Sequence, residues 1–257
     1  MFQRVHELHE RARHGARAVA FAGGMALLMA GVLLPLAGFA NAPATTLCGA
    51  TDTQCVITFG NAAIAARQTA LSKLNGRVTE VNSDGRISSA DNAALVGDIA
   101  TNESGLTTLK GQLDSAADAK TARADVKLIY TQFRIFAVVL PRDYHQLWLD
   151  MIIHTNTRLA GSETLIQDTI NGAPASVQGQ ANTLFTDYKS QVSTAQAQTQ
   201  AAQPIYAQLT PAAFDADATA YAQTFGSYKT DIHTAHTATK QAISDLHQIV
   251  TLLKSAS

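Results

Sequence analysis

Residues 214–253 read FDADATAYAQTFGSYKTDIHTAHTATKQAISDLHQIVTLL. Phe214, Ala218, Tyr221, Phe225, Tyr228, Ile232, Ala235, Thr239, Ala242, Leu246, Ile249 and Leu253 recur at alternating steps of four and three. That spacing puts them on one stripe of an α-helix, with polar residues on the other faces. The stripe predicts one helix of nearly six heptads, about 60 Å long at 1.5 Å per residue. A lone helix leaves such a stripe in water, so other helices must cover it.

Upstream segments supply the cover. Ile57, Ile64, Leu71 and Val78 recur every seven residues, with Leu74 and Val81 between them. Leu95, Ile99, Asn102, Leu106, Leu109 and Leu113 continue the pattern, with a polar residue at one seam position able to fix register. A third segment begins near Ala119 and carries Val126, Ile129, Phe133 and Leu140 up to Pro141, where the helix must kink or restart. A fourth runs from Tyr144 to Ile170 and ends at Asn171-Gly-Ala-Pro174, the glycine expected as a left-handed cap. Ser176 is the expected cap of a fifth, which fades into the alanine-glutamine tract 195–203. Leu209-Thr-Pro211 reads as a cap plus first-position proline opening the last helix. Strand signals are nearly absent. The expected fold is all-α, an elongated antiparallel bundle of four to five long helices with coiled-coil heptads.

Residues 1–17 hold Arg4, Arg11, Arg13 and Arg17, and Ala18 to Ala40 then pass without a charge. Ala40, Ala42 and Ala44 follow at the spacing of an A-x-A cut. This is the layout of a secretory signal, with cleavage after Ala44 leaving 45–257 as the helical domain. The alternative is a retained anchor, since residues 18–40 are long enough to span a bilayer. Cys48 and Cys55 are the only cysteines. Outside the cytoplasm such a pair reads as a disulfide pinning a small loop, with free thiols or a metal pair as the alternatives.

With 19 Lys+Arg against 20 Asp+Glu there is no basic excess to meet phosphates, which excludes a nucleic-acid role. A hydrophobic share of 46% excludes a fully disordered chain. No G-x-S-x-G, H-E-x-x-H or Gly-rich phosphate loop occurs, so no enzymatic activity is expected. His233 and His236 lie three apart, but His247 is too far along the same helix to join them on an ion.

One segment carries the chemistry of an ion site. Residues 80–91 read EVNSDGRISSAD. Glu80, Asn82, Asp84, Arg86 (through its carbonyl), Ser88 and Asp91 fall at positions 1, 3, 5, 7, 9 and 12 of a twelve-residue loop. Gly85 and Ile87 take positions 6 and 8. The pattern resembles a calcium loop of the EF-hand or dockerin type, whose alternate oxygens cage the ion. Asn82-Ser-Asp-Gly85 is equally strong chemistry for a plain helix–helix turn.

The stretch TQFRIFAVVLP at 131–141 resembles a motif of the form Y-R-V-Y-x-L-V-x-P, found in a family of uncharacterised, secreted, helix-rich bacterial proteins. SGLTTLK at 104–110, RADV at 123–126 and Leu209-Thr-Pro211 resemble the same family, over about residues 62–255. Arg142 to Trp148 depart from its pattern. The resemblance implies a helical fold and an exported chain, and supplies no known activity. Ile135 to Leu140, Trp148 and Met151 to Ile153 form the most apolar region of residues 45–257, read as core with a membrane- or partner-facing patch as the alternative. Together these readings point to a secreted or cell-envelope binding or scaffolding protein. Its partner is expected to be an extracellular or envelope protein, with self-association through the seams. A calcium-dependent interaction module and a helical membrane-active protein are the alternatives.

Overall fold

The computed structural model describes residues 48–256, with Glu7 and Glu10. The expected signal segment 1–44 and its expected cut site otherwise lie outside the described residues. The described residues are 88% helical, with no strand among them. It divides into two units. One runs up to Leu147 and takes back Tyr206–Phe225; the other holds Trp148–Ile205 and the chain from Gly226 onward.

In the unit that comes first in the chain, α1 (Thr53–Ser83), α2 (Ser89–Asp114) and α3 (Ala119–Thr131) pack on one another. Each starts on a short polar side chain that takes up an otherwise unpaired backbone N–H. Asp52 accepts from Cys55 N at 2.9 Å, Ser88 from Asp91 N at 3.1 Å and Asp118 from Thr121 N at 2.7 Å. The core is the expected stripe: Ile64, Leu71, Leu74, Val78 and Val81 of α1 meet Leu95, Ile99, Leu106, Leu109 and Leu113 of α2, closed by Val126 and Ile129 of α3. Ile57 is only half-buried, and Val56 takes its place.

The break expected at Pro141 comes earlier, at 132–134. Helix α3 ends at Thr131, and Arg134 takes a left-handed conformation with φ 43°. A wide π-turn spans Ile135–Val139 before α4 (Leu140–Ala160) begins. The π-turn runs directly into α4, with Leu140 N donating to Ile135 O, so Pro141, which has no N–H to give, lies just past a widened turn.

In the other unit, α4 gives way at Gly161 to the short α5 (Glu163–Asn171), so the expected unbroken helix to Ile170 is two. Gly172 closes α5 with φ −84°, right-handed rather than left-handed as expected. Helix α6 (Ala175–Ala202) starts directly after Pro174, whose fixed φ already sets the first turn, so Ser176 does not cap it. The alanine-glutamine tract stays helical to Ala202 and buries Ala195, Thr199 and Ala202. A 3₁₀ turn at Gln203–Gln208 contains Pro204; the chain then returns to the first unit, where α7 (Pro211–Ala216) is capped as expected by Thr210 on Ala213 N at 3.1 Å. Asp217 is extended and recaps the chain into α8 (Ala218–Ser255), so the long stripe is interrupted near its start. From Tyr228 on, the stripe positions Ile232, Ala235, Thr239, Ala242, Leu246, Ile249 and Leu253 are all buried. The core of this unit joins Leu159, Ile166, Phe185, Tyr188 and Val192 to the α8 stripe. The Tyr188 hydroxyl donates to Leu159 O at 2.6 Å.

Candidate functional site

The strongest concentration of buried polar chemistry lies just after Pro141. Arg142 and Asp143 stand in the first turn of α4 and are 7% and 0% exposed. Arg142 Nε donates to Asp143 Oδ1 at 2.7 Å, Nη2 to Asp98 Oδ2 on α2, and Nη1 to the Leu209 carbonyl at 3.3 Å. Tyr206 donates its hydroxyl to Asp143 Oδ1 at 3.0 Å, and its ring lies 4.9 Å from the guanidinium. Asn102, the polar residue on the α2 seam, donates to Asp98 O at 2.9 Å and Oδ2 at 3.3 Å, holding that carboxylate toward the arginine.

One guanidinium therefore faces two carboxylates, and the second negative charge has no full counter-ion. Burial pushes the Asp143 carboxyl up to about 7, against the opposing pull of Arg142 and with help from Asp98. Burial alone would lower Arg142, but Asp143, Tyr206 and Asp98 carry it above its ordinary value. Tyr206 is pushed up by burial and by Asp143. Tyr221, whose hydroxyl is buried without a partner, rises to about 12 through burial. Asp143 Oδ2 is likewise buried without a partner. Chemically this is a sealed ion-pair staple. It ties the start of α4 to α2 and to the chain at 206–209, and it holds a carboxyl able to gain a proton near neutrality.

A second arginine grips the same returning segment. Arg134 Nε donates to Asp215 Oδ1 at 2.7 Å, and its guanidinium lies 4.5 Å from the Phe214 ring. A third, Arg67 on α1, is 6% exposed and is framed by the rings of Tyr130 at 4.5 Å and Phe136 at 5.1 Å. Burial lowers its pKa. None of these clusters was read from the sequence. The one available signal was the run of charged and polar residues from Arg142, placed inside the most apolar stretch of residues 45–257.

The calcium-loop residues take a helix–turn–helix form. Gly85 has φ +65°, the sharp turn expected of it. Glu80 and Asn82 are still within α1, two residues apart and so about 200° around the helix. Glu80 pairs with Arg77 and Asp84 with Arg86. Ser88 caps α2 and donates its hydroxyl to Asp91 Oδ2 at 2.6 Å. Among the described residues no three His, Cys, Asp or Glu side chains are grouped to hold a metal ion.

Cys48 and Cys55 are joined in a disulfide with Cα atoms 5.7 Å apart, and Arg123 Nη2 donates to the Gly49 carbonyl inside the closed loop at 2.7 Å. His233 is exposed, while His236 packs edge-on against Trp148 with ring centroids 5.2 Å apart. No helix among the described residues is long and apolar enough to cross a membrane. No known family, curated protein or solved structure matches the chain.

Proposed function

We propose that this chain is an exported helical binding or scaffolding module that performs no chemistry on its ligand, acting outside the cytoplasm on an extracellular or envelope partner. The observation that carries the reading is the Cys48–Cys55 disulfide. It lies directly after the basic, apolar and A-x-A sequence of residues 1–44, and a bond of this kind persists in an oxidising compartment. The distribution of polar groups supports the rest. The most perturbed carboxyl, Asp143, is sealed from solvent and braces backbone segments, so it is placed to hold the fold and not to meet a substrate.

The test is expression of the whole chain in a bacterial host, followed by fractionation and intact-mass measurement. The reading expects material outside the cytoplasm that begins at Thr45 and carries both cysteines oxidised. Full-length chain retained in the cytoplasm with two free thiols would overturn it.

A further inference from the structure

We propose that residues 206–217 form a latch, shut in acid and opened by alkali, whose catch is the cluster of Asp98, Arg142, Asp143 and Tyr206. The segment and all four groups belong to the same unit.

The segment is built to move. Of residues 206–217 only Leu209 is buried. Its regular structure is the end of a 3₁₀ turn and the short α7, pieces too brief to persist without support. Asp217 is extended, with φ −155° and ψ 97°, which separates the segment from α8 and gives it a hinge. A stretch with so few buried apolar contacts sits at the low end of local stability, where it opens without the rest of the unit.

Polar ties hold it down. Tyr206 donates to Asp143 Oδ1 at 3.0 Å, and its ring lies 4.9 Å from the Arg142 guanidinium. Arg142 Nη1 donates to the Leu209 carbonyl at 3.3 Å. Further along, Arg134 Nε donates to Asp215 Oδ1 at 2.7 Å. Asp143 beneath Tyr206 is 0% exposed.

Charge decides whether the catch holds. The groups that face Asp143 are Arg142 on its own helix, Asp98 on α2, Tyr206 on the segment and Tyr221 on α8. With a proton on Asp143, the charges of Arg142 and Asp98 cancel. Without it, two carboxylates share one guanidinium. The ionised Oδ1 accepts more strongly from Arg142 and Tyr206, but Oδ2 is buried with no donor. Burial outweighs the bonds and raises the carboxyl to about 7. Lifting the segment lets water reach Oδ2, and a hydrated aspartate ionises near about 3.9. The lifted state therefore binds fewer protons between those values, and opening becomes easier as pH rises. From about pH 5 to about pH 8 the opening constant grows by about 10- to 100-fold. The device goes beyond the binding reading and needs neither export nor a partner to operate.

Hydrogen exchange of the whole oxidised chain, followed by mass spectrometry at about pH 5 and about pH 8 and corrected for the intrinsic rate, tests it. Protection of residues 206–217 should fall by about 10- to 100-fold while the buried amides of α1 and α2 keep theirs. Asp143→Asn, which has no proton to lose, should abolish the change and keep the segment protected at about pH 8. Asp98→Asn, at a partly exposed side chain, should reduce the change, because Arg142 then answers Asp143 alone. Protection of 206–217 that does not fall with pH overturns the latch. So does a fall shared equally with α1 and α2, which is global unfolding. A parent-like pH dependence in both variants, or in Asp98→Asn alone should Asp143→Asn not fold, overturns the catch.

Discussion

Arg142 donates to the carboxylate of Asp143, its own neighbour in the chain, at 2.7 Å, while the same carboxylate accepts from Tyr206, 63 residues further on. A purely local pair is thereby made into a long-range tie, and its balance of charge has measurable consequences.

The first is a pH effect. The native pKa of Asp143 is raised to about 7, whereas an unfolded aspartate titrates near about 3.9. Between those values the native state binds more protons than the unfolded one, so this group's contribution to stability is full below about pH 4 and lost as pH rises toward about 7. Urea unfolding of the parent and Asp143→Asn at about pH 5 and about pH 8 should show the parent gaining on the variant at the lower pH. Burial raises Asp125, Asp231 and Asp245 as well, so the variant keeps a residual slope of the same sign. A parent that loses ground to the variant on acidification contradicts the assignment.

Removing the cation alone should be severe. Arg142→Met leaves Asp143 buried without its counter-ion, a change that typically costs about 3–5 kcal/mol. Asp98 is partly exposed and can be hydrated, so the loss falls on Asp143. Arg142→Met with Asp143→Leu should recover most of the loss. Denaturation midpoints of the single and double variants check this, and equal stability of the two would refute it.

Arg134 is held at φ 43°, a conformation that disfavours a β-carbon by about 1–2 kcal/mol. Arg134→Ala keeps that strain and loses the contacts with Asp215 and Phe214. Arg134→Gly loses the contacts but releases the strain, and should be more stable than the alanine variant by about 1 kcal/mol. Asp215→Asn, at a partly exposed pair, should change stability by less than about 1 kcal/mol. Thermal melts of the three variants order them.

Two glycines of α1 should respond in opposite directions to the same change. A β-carbon on Gly60 would lie 2.4 Å from Leu113 Cδ2 and 2.7 Å from Val126 Cγ2. Gly60→Ala should therefore destabilise by about 1–3 kcal/mol through overpacking. Gly76 has nothing within 4 Å, and Gly76→Ala should stabilise by about 0.5–1 kcal/mol through helix propensity.

Calcium binding at residues 80–91 would require the last turn of α1 to unwind and the pairs of Glu80 with Arg77 and Asp84 with Arg86 to open. The expected result is an unchanged melting temperature at about 5 mM calcium, a concentration covering extracellular modules. A shift that Asp84→Asn and Asp91→Asn both remove would instead assign the loop as an ion site.

Apolar spacing and caps were legible in the residues themselves. The stripes of α1, α2 and the later part of α8 are set by local periodicity, and Thr210-Pro211 marks a helix start through its own backbone chemistry. The breaks at Gly161 and Asp217 were not legible. Each lies within a run whose apolar period continues across it, so the pattern alone joins what the backbone separates. The Arg142 cluster was hidden for a different reason. Its partners Asp98, Tyr206 and Leu209 are 44 or more residues away in the chain, and no local rule pairs them. The alanine-glutamine tract read as weakly packed because its buried positions are only alanine and threonine, too small to register as an apolar stripe.

The covalent loop between Cys48 and Cys55 changes how tension reaches the chain. A pull applied upstream passes through the sulfur atoms straight to Cys55, bypassing the loop and entering α1 within its first turn. That turn cannot peel away residue by residue, so whatever hangs ahead of it is tethered to a peg and not to a fraying end.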